Sequence, residues 1–323
     1  MGTRILVTGG AGFVGSTYTR MLLGPEGPDG VEITVLDKLT YAGNPENLAG
    51  LSSDPRFTFV RGDVCDARLV ASLADRHDEI VHFAAESHVD RSTRSGTPFV
   101  TTNVLGTQIL LEAAVRHGIA TFVHVSTDEV YGSVDLGAWT EEAPLAPTTP
   151  YSASKASADH LALAHHRTHG LDVRISRCAN NYGPRQFPEK IVPLFITRLL
   201  KGLTVPLYGD GSQVREWLHV DDHCRGVELI RTRGRAGRVY NLGSGVELTN
   251  KELTALLLEA CEAPAERVRH VEDRKGHDSR YSVDWSRAHD EVGYLPRRDL
   301  RQGLAETVDW YRKNEAWWKR PEQ

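Results

Sequence analysis

The chain has 323 residues, of which 40% are hydrophobic and 25% charged, and it carries a net charge of −5. This size and composition are typical of a globular protein with one large or two modest domains. There is no basic excess that would indicate nucleic-acid binding, and no apolar run approaches the roughly 20 residues of a membrane helix. Residues 5–15 could pass for a signal-peptide core, but glycines interrupt them and no small-residue cleavage site follows.

The cysteines and histidines show no pattern of a metal or redox site. The four cysteines are far apart and include no CxxC pair, so we predict neither a metal knuckle nor a disulfide in what we expect to be a cytoplasmic protein. The 14 histidines include no HExxH or similar spacing. We therefore predict packing or surface roles for the histidines and no metal site.

The first predicted elements are a buried strand at residues 4–8 and a glycine-rich turn that leads into a helix. The turn satisfies GxxGxxG with Gly9, Gly12 and Gly15, and it satisfies GxGxxG with Gly10 in the first position. Such a turn lets backbone N–H groups and a helix N-terminus face a pyrophosphate. The start of the chain therefore predicts a dinucleotide site.

The second predicted strand, residues 32–36, ends on an acidic residue. Asp37 is placed to bond both ribose hydroxyls of an adenosine and would repel a 2′-phosphate. This favours NAD over NADP, and the adjacent Lys38 is the one feature that argues for the phosphate. A third strand at 57–60 leads to Asp63, which either meets the adenine amine or caps the next helix.

The fourth predicted strand, residues 79–83, is followed by Ala84 and Ala85, which leave room for a cofactor. The polar segment 86–92 then lies at the carboxyl end of a strand, where doubly wound sheets place their ligands. A long helix is predicted at about 99–117. The alternation of strands and helices along the chain predicts an α/β fold, a Rossmann-like doubly wound parallel sheet with a smaller α/β substrate-binding lobe.

The next strand brings candidate catalytic groups together. The apolar run 121–125 predicts a buried strand that ends at Ser126 and Thr127, and Asp128 and Glu129 follow directly. Two carboxyl groups after a strand are usually a solvated loop or the start of a helix. Their place beside a nucleotide-binding turn favours a catalytic role here.

A second candidate group begins the following helix, which should extend to about residue 169. Tyr151 and Lys155 stand four residues apart, so the phenol and the ammonium share one helix face with Cβ atoms about 5–6 Å apart. A lysine beside a tyrosine favours the phenolate and should lower the tyrosine pKa from about 10 toward neutrality, where the group can act as a base. Taken alone, such a pair is usually surface packing.

After a strand at 172–177, glycines and prolines punctuate shorter elements. We predict a dinucleotide-binding Rossmann domain at 1–178 and 219–243. We predict a smaller substrate-binding lobe at 179–218 and 244–323.

Several polar residues of this lobe could hold a charged ligand. Ordinary alternatives exist, because Thr249 and Glu252 form the pattern of a helix capping box and Arg215 could lie in an exposed strand. The candidates are Lys190, Arg215, Asn250, Arg280 and His277.

On these motifs the chain resembles the extended short-chain dehydrogenase/reductase family, and within it the dTDP-glucose 4,6-dehydratases. The Thr-Asp-Glu sequence at 127–129 separates the dehydratases from relatives that share the glycine turn and the YxxxK pair. The chain departs from the family at Lys275, usually proline, at Ser279, often arginine, and at Arg185 and Gln186. The matching stretches are 8–15, 36–44, 84–92, 126–132, 151–161, 180–184, 187–190 and 276–278.

The resemblance implies an NAD-dependent hydro-lyase that converts dTDP-glucose to dTDP-4-keto-6-deoxyglucose in deoxysugar biosynthesis. Tyr151 would take the C4 hydroxyl proton while NAD accepts the C4 hydride, and Lys155 would lower the tyrosine pKa and hold the nicotinamide ribose. Thr127 would bond the C4 oxygen. Loss of water across C5 and C6 needs a base and an acid, so Glu129 would remove the C5 proton and Asp128 would protonate the C6 oxygen before hydride returns to C6.

The resemblance also implies a homodimer through the helices near 99–117 and 151–169. The charge and hydropathy of the chain predict no nucleic-acid or membrane partner. The alternatives are a sugar-nucleotide 4-epimerase, a UDP-glucuronate decarboxylase, or a non-catalytic NAD-sensing protein. The implied cofactor-binding residues are Gly9, Gly12, Phe13, Val14, Gly15, Asp37, Lys38, Leu39, Thr40, Asp63, Val64, Phe83, Ala84, Ala85, Thr102, Tyr151, Lys155 and Asn181. The implied substrate-binding residues are Ser87, Thr127, Asn180, Lys190, Ile191, Pro206, Tyr208, Arg215, Asn250, Asp273 and His277.

Overall fold

The structure, a computed structural model, describes residues 2–274 and 276–319. Within these residues the main sheet has seven strands, and every neighbouring pair of strands is parallel. Its strands are β1 (Thr3–Thr8), β2 (Val31–Asp37), β3 (Phe57–Arg61), β4 (Glu79–His82), β5 (Thr121–Thr127), β6 (Val173–Cys178) and, after three strands of the smaller lobe, β10 (Arg238–Leu242).

The strand order is β10-β6-β5-β4-β1-β2-β3. The chain therefore runs outward from β1 in one direction through β2 and β3, and in the other through β4, β5 and β6. Doubly wound sheets bind ligands at this reversal, at the carboxyl ends of the strands. The predicted Rossmann-like parallel sheet is confirmed.

Helices cover both faces of the sheet, because successive side chains of a strand point to opposite sides. In β1, Ile5 and Val7 belong to one buried cluster and Leu6 belongs to another. The helices of this part of the chain are α1 (Phe13–Leu23), α2 (Ala67–Ala74), α3 (Val89–Arg94), α4 (Thr97–Phe99), α5 (Gly106–His117), α6 (Pro150–His169), α8 (Val220–Arg233) and α10 (Ser286–Val292). Helices α1 and α8 pack in the first cluster, and α2 and α5 pack in the second.

The helix predicted at 99–117 is a composite. Its central part, Val100–Leu105, is π-helical, and α4 and α5 continue it on either side. The wider turn of a π-helical segment is a frequent feature of functional sites. In this segment Thr102 reaches the cavity described below.

The smaller lobe has its own buried cluster, which includes Trp217, Tyr311 and Trp318. Its sheets have the strand orders β11-β9-β7 and β12-β8. The strands are β7 (Asn180–Tyr182), β8 (Val205–Tyr208), β9 (Val214–His219), β11 (Glu247–Thr249) and β12 (Val268–Val271). The helices are α7 (Ile191–Leu200), α9 (Asn250–Ala260), α11 (Leu300–Lys313) and α12 (Glu315–Trp318).

One segment differs from the predicted division of the chain. The prediction placed all of 244–323 in the lobe, but Ala288, Val292 and Tyr294 pack in the cluster that contains Ile5 and Val7. Helix α10 therefore lies on the main sheet, where it contacts α8 and β10. The remaining domain boundaries stay a prediction.

The described residues include no helix that is both long and apolar enough to cross a bilayer. They also include no group of three or more His, Cys, Asp or Glu side chains arranged to hold a metal ion. The four cysteines are free thiols.

Candidate active site

A cavity of about 450 Å³ opens along the carboxyl ends of the main strands, and residues of the smaller lobe form its opposite wall. The predicted catalytic residues Thr127, Asp128, Glu129, Tyr151 and Lys155 all line it. From the predicted cofactor set the lining also includes Gly9, Gly12, Phe13, Val14, Gly15, Asp37, Lys38, Thr40, Asp63, Val64, Phe83, Ala84, Ala85, Thr102 and Asn181, and from the predicted substrate set Ser87, Asn180, Lys190, Ile191, Pro206, Tyr208, Arg215, Asn250 and His277.

The glycine turn has the close packing that a dinucleotide site needs. Gly9 has a φ of +71°, and a Cβ there would lie 2.6 Å from the backbone nitrogen of Ala84. A Cβ on Gly15 would lie 2.4 Å from the Gly9 carbonyl oxygen. Gly12 caps the N-terminus of α1 without a side chain. The turn therefore offers bare backbone and a helix N-terminus to the cavity, which suits a pyrophosphate.

The acid at the end of β2 is fixed by the backbone. Asp37 accepts hydrogen bonds from the Ala11 N–H at 2.9 Å and the Leu39 N–H at 2.8 Å, one on each carboxylate oxygen. Each oxygen keeps lone pairs that a ribose hydroxyl can use. Leu39 does not line the cavity, because its side chain packs against the core, and its predicted contact with the cofactor stays a prediction.

The positive charge next to Asp37 is paired. Lys38 Nζ lies 2.6 Å from Asp63 Oδ2, so the one feature that argued for a 2′-phosphate has a carboxylate partner. The alternative role for Asp63, as cap of the next helix, is wrong because Asp66 caps α2. Asp63 lies in the cavity wall.

Local structure brings the predicted catalytic groups together. β5 ends at Thr127, and a short 3-10 turn at Asp128–Tyr131 follows at once. Helix α6 begins at Pro150 behind a capping box formed by Thr149 and Ser152, which places Tyr151 in its first turn. The Lys155 ammonium donates to the Val125 carbonyl oxygen of β5 at 2.8 Å.

The two adjacent carboxyl groups have different surroundings. Burial raises the pKa of Asp128 well above its ordinary value, and the carboxylates of Glu129 and Glu216 raise it further. Burial also raises the pKa of Glu129, but Lys190, Arg274 and Arg215 oppose that rise. Asp128 thus favours the protonated form, whereas the nearby cations favour the ionised form of Glu129 more than that of Asp128.

The predicted lowering of the tyrosine pKa is wrong for the protein without ligands. Burial raises the pKa of Tyr151 well above its usual value, and Glu129 and Asp128 raise it further. Burial lowers the pKa of Lys155 to about 8. The sequence rule considered only the lysine charge, whereas the folded site adds desolvation and two acids.

On the lobe side, Lys190, Arg215 and Arg274 bring positive charge near the predicted catalytic groups. Lys190 donates to the Ser87 carbonyl oxygen at 2.6 Å. The Arg215 guanidinium stacks 4.3 Å from the centroid of the Tyr281 ring and donates to the Asp278 carbonyl oxygen at 2.9 Å. Arg215 is buried, so the alternative of an exposed strand is wrong. Its buried charge suits an anionic ligand.

Two polar candidates lie outside the cavity wall. Asp273 is exposed, and its Oδ1 lies 2.7 Å from Nδ1 of His277, within hydrogen-bond distance. Asp273 therefore orients the His277 ring, which lines the cavity, without lining the cavity itself. Arg280 pairs with Glu247 at 2.6 Å. Lys275 lies outside the described residues, and the Ser279 hydroxyl is 2.6 Å from that of Ser133.

Several residues of the cavity wall are not among the predicted site residues. Arg274 and Tyr281 come from an irregular segment whose pattern carries no signal. Glu189 belongs to a stretch that matches the family, and burial raises its pKa to about 7. Glu86 and His88 lie in the polar segment that was predicted to face a ligand.

The fold and this site together define the class of the protein. A doubly wound parallel sheet, a glycine turn after β1 and a Tyr-Lys pair on the helix after β5 are those of the extended short-chain dehydrogenase/reductases. A family model described as GDP-mannose 4,6 dehydratase matches residues 6–307, and the chain belongs to this family.

Two dTDP-glucose 4,6-dehydratases and a UDP-glucose 4-epimerase are among the proteins to which the chain is similar. The chain is 63% identical to a dTDP-glucose 4,6-dehydratase of Streptomyces griseus over 319 residues, which cover 99% of this chain and 97% of the relative. It is similar to the crystal structure of DesIV, a dTDP-glucose 4,6-dehydratase from Streptomyces venezuelae with NAD and TYD bound, with a TM-score of 0.96 and 58% identity over 98% of this chain and 99% of the other. It is also similar to a UDP-glucose 4-epimerase from Thermotoga maritima with UDP-glucose, with a TM-score of 0.90 and 32% identity over 97% and 100% of the two chains. The shared fold spans both activities, so the side chains of the site must distinguish them.

Proposed function

We propose that this protein dehydrates dTDP-glucose to dTDP-4-keto-6-deoxyglucose with a bound NAD. The observation that carries the proposal is the pair of carboxyl groups, Asp128 and Glu129, in the same cavity wall as Thr127, Tyr151 and Lys155. An epimerase needs only to remove and return a hydride. Elimination of water across C5 and C6 needs an acid and a base in addition.

The cavity wall fits NAD. The bare glycine turn suits the pyrophosphate, Asp37 suits the adenosine ribose, and Lys155, in the same cavity wall, would hold the nicotinamide ribose. The side-chain oxygens of Asn180 and Asn181 are buried without hydrogen-bond partners among the described residues, so they can still accept hydrogen bonds from bound groups. When bound, the nicotinamide takes up the C4 hydride and returns it at C6.

The residues of the chain would move the protons. Tyr151 takes the C4 hydroxyl proton as its phenolate, which the positive charges of Lys155 and of the bound nicotinamide would have to favour against burial and the two acids. The Thr127 hydroxyl bonds the C4 oxygen that becomes a ketone. This ketone makes the C5 hydrogen acidic, and Glu129 removes it as a proton and gives a proton back to C5 when the hydride is returned to C6. Asp128 gives its proton to the C6 oxygen, which leaves as water. The raised pKa of Asp128 and the cations around Glu129 support this division of roles.

The remaining lobe residues would hold the sugar nucleotide. Lys190, Arg215 and Arg274 supply positive charge for the diphosphate, and the Asn250 amide and the His277 ring, which also line the cavity, suit the nucleoside. Ser87 and Asn180 would contact the sugar or phosphates, and Ile191, Pro206 and Tyr208 would complete the apolar wall. One methyl group separates thymine from uracil and is worth about 1–3 kcal/mol of discrimination.

The test is to incubate the purified protein, without added reductant, with dTDP-glucose, UDP-glucose or GDP-mannose in separate reactions. Mass spectrometry then reports loss of one water. Loss from dTDP-glucose alone supports both the reaction and the nucleotide. Loss from another sugar nucleotide alone keeps the chemistry and changes the substrate. No loss from any of them contradicts the proposal.

A sugar-nucleotide 4-epimerase is the second candidate, because the fold is shared with an epimerase. The two activities differ in their need for the carboxyl pair. If an Asp128→Asn, Glu129→Gln variant interconverts the C4 epimers of a sugar nucleotide at the wild-type rate, the epimerase is the better assignment.

A homodimer also belongs to this proposal. Val100 and Leu105, in the segment before α5, are apolar and exposed at 56% and 49%. A second copy that packs α5 and α6 against their counterparts would cover them. Light scattering measures the mass in solution, and a monomer contradicts the dimer. The cytoplasmic location stays a prediction, which cell fractionation tests.

A further inference from the structure

Four side chains join the two halves of the protein at the edge of the cavity, and we call them the clasp. Tyr41 follows β2, Arg91 lies in α3, and Phe187 and Glu189 lie in the segment that leads into the smaller lobe. Phe187 and Glu189 line the cavity, as do the chain neighbours of the other two, which are Thr40, Ala42 and Asp90.

The ring of Tyr41 is the centre of the clasp. The guanidinium carbon of Arg91 lies 3.7 Å from its centroid, within reach of a cation–π interaction. The same ring meets Phe187 edge to face, with centroids 5.6 Å apart and planes at 74°. Its hydroxyl donates to Glu189 Oε1 at 3.3 Å. One side chain thus connects three segments of the chain.

Glu189 completes the connection through charge. Its side chain is 10% exposed, and Oε2 lies 3.7 Å from Arg91 Nε and 3.6 Å from His88 Nε2. Oε2 is buried and has no hydrogen-bond partner within 2–274 and 276–319. The next residue, Lys190, bonds the Ser87 carbonyl oxygen and ties the same segment to the loop after β4. Separation of residues 187–190 from the main domain would break the contacts of Phe187, Glu189 and Lys190 together.

We propose that the clasp keeps the cavity closed over the dinucleotide and so sets how long the cofactor stays bound. This inference rests on the proposed function, in which the hydride taken from C4 returns to C6. Each turnover then regenerates the cofactor, so the enzyme works without exchanging it. Tyr41 and Arg91 are positioning residues, because they hold the wall and contact no reacting atom.

The test measures cofactor exchange without substrate. Protein loaded with labelled NAD is chased with unlabelled NAD, in wild type and in the variants Tyr41→Ala, Arg91→Ala and Tyr41→Phe. We expect the NAD dissociation rate of Tyr41→Ala to rise at least about tenfold, equivalent to about 1.4 kcal/mol. Tyr41→Phe keeps both ring contacts and loses one long hydrogen bond, so its rate should stay close to wild type. At saturating NAD, kcat should change little, because the chemical groups are intact.

Arg94→Ala is the matched control, since Arg94 is an exposed arginine of the same helix outside the clasp. An unchanged dissociation rate in both alanine variants overturns the clasp, and so does an equal rise in Arg94→Ala. If Tyr41→Ala fails to fold, the Arg91→Ala variant tests the clasp instead, because Arg91 is half-exposed and its substitution leaves the core untouched. Faster exchange in a protein that does not dehydrate dTDP-glucose refutes only the proposed function. Normal dehydration with unchanged exchange refutes only the clasp.

Discussion

Replacement of Asp128 by asparagine gives the sharpest test of the proposed acid. Asp128 is 2% exposed, and its Oδ1 accepts from the Thr127 hydroxyl at 3.1 Å. Its Oδ2 is buried with no hydrogen-bond partner in the described part of the chain. Asparagine has nearly the same shape and no charge. It therefore resembles the protonated side chain that the folded protein favours, but it has no acidic proton to give.

The burial of the Asp128 carboxyl group also predicts that Asp128→Asn is more stable than wild type, by an amount that depends on pH. Because folding raises the pKa of Asp128, the folded chain binds this proton more tightly than the unfolded chain does. Below the unfolded pKa of about 3.9, both states are protonated and the carboxyl group costs nothing. As pH rises from there toward the folded pKa, the wild type loses up to about 1.4 kcal/mol of its free energy of unfolding per pH unit. Asp128→Asn does not titrate and avoids that loss.

Two measurements test these expectations. Urea unfolding from mildly acidic to mildly alkaline pH should show that Asp128→Asn becomes increasingly more stable than wild type, while Asp29→Asn, at an exposed position, should not. Dehydration by Asp128→Asn should fall by about 10²–10⁴-fold, the usual contribution of general acid catalysis. A stability difference that does not change with pH, or product formation at the wild-type rate, refutes the reasoning.

Three further outcomes are expected. Glu129→Gln should lower dehydration by about 10²–10⁴-fold and let NADH absorbance accumulate, and 6-deoxy product from this variant would contradict its role as base. Asp159→Asn should lower the pKa of Lys155 below about 8, because the negative charge of Asp159 raises that pKa in the wild type. The same change should cost about 3–5 kcal/mol of unfolding free energy, because the buried Arg177 loses its carboxylate partner at 2.8 Å. The pH profile of hydride transfer tests the change in the Lys155 pKa, and urea unfolding tests the loss of stability. A pH profile identical to that of wild type would contradict the predicted change in the Lys155 pKa. Leu105→Glu should yield monomers in light scattering, and a dimer that survives it would exclude this helix from the interface.

Most of the sheet and the outline of the site were predictable from local patterns. The apolar runs predicted the strands around Asp37 and Thr127, and the glycine spacing predicted the turn after β1. The i,i+4 spacing placed Tyr151 and Lys155 on one face of α6, and both line the cavity. These features depend on neighbours along the chain, which is why the sequence reveals them.

The electrostatics of the site were decided by the tertiary structure. The sequence predicts a lowered pKa for Tyr151, yet burial and two carboxylates raise it. Glu216 raises the pKa of Asp128 from β9, and Arg274 reaches Glu129 from an irregular segment. The π-helical turn at Val100–Leu105 and the packing of α10 on the main sheet have no local signature either. Backbone periodicity is local, whereas desolvation and charge depend on which distant residues the fold brings within a few ångströms. The sequence therefore located the candidate catalytic groups, and only the folded chain determined which protonation state each of them favours.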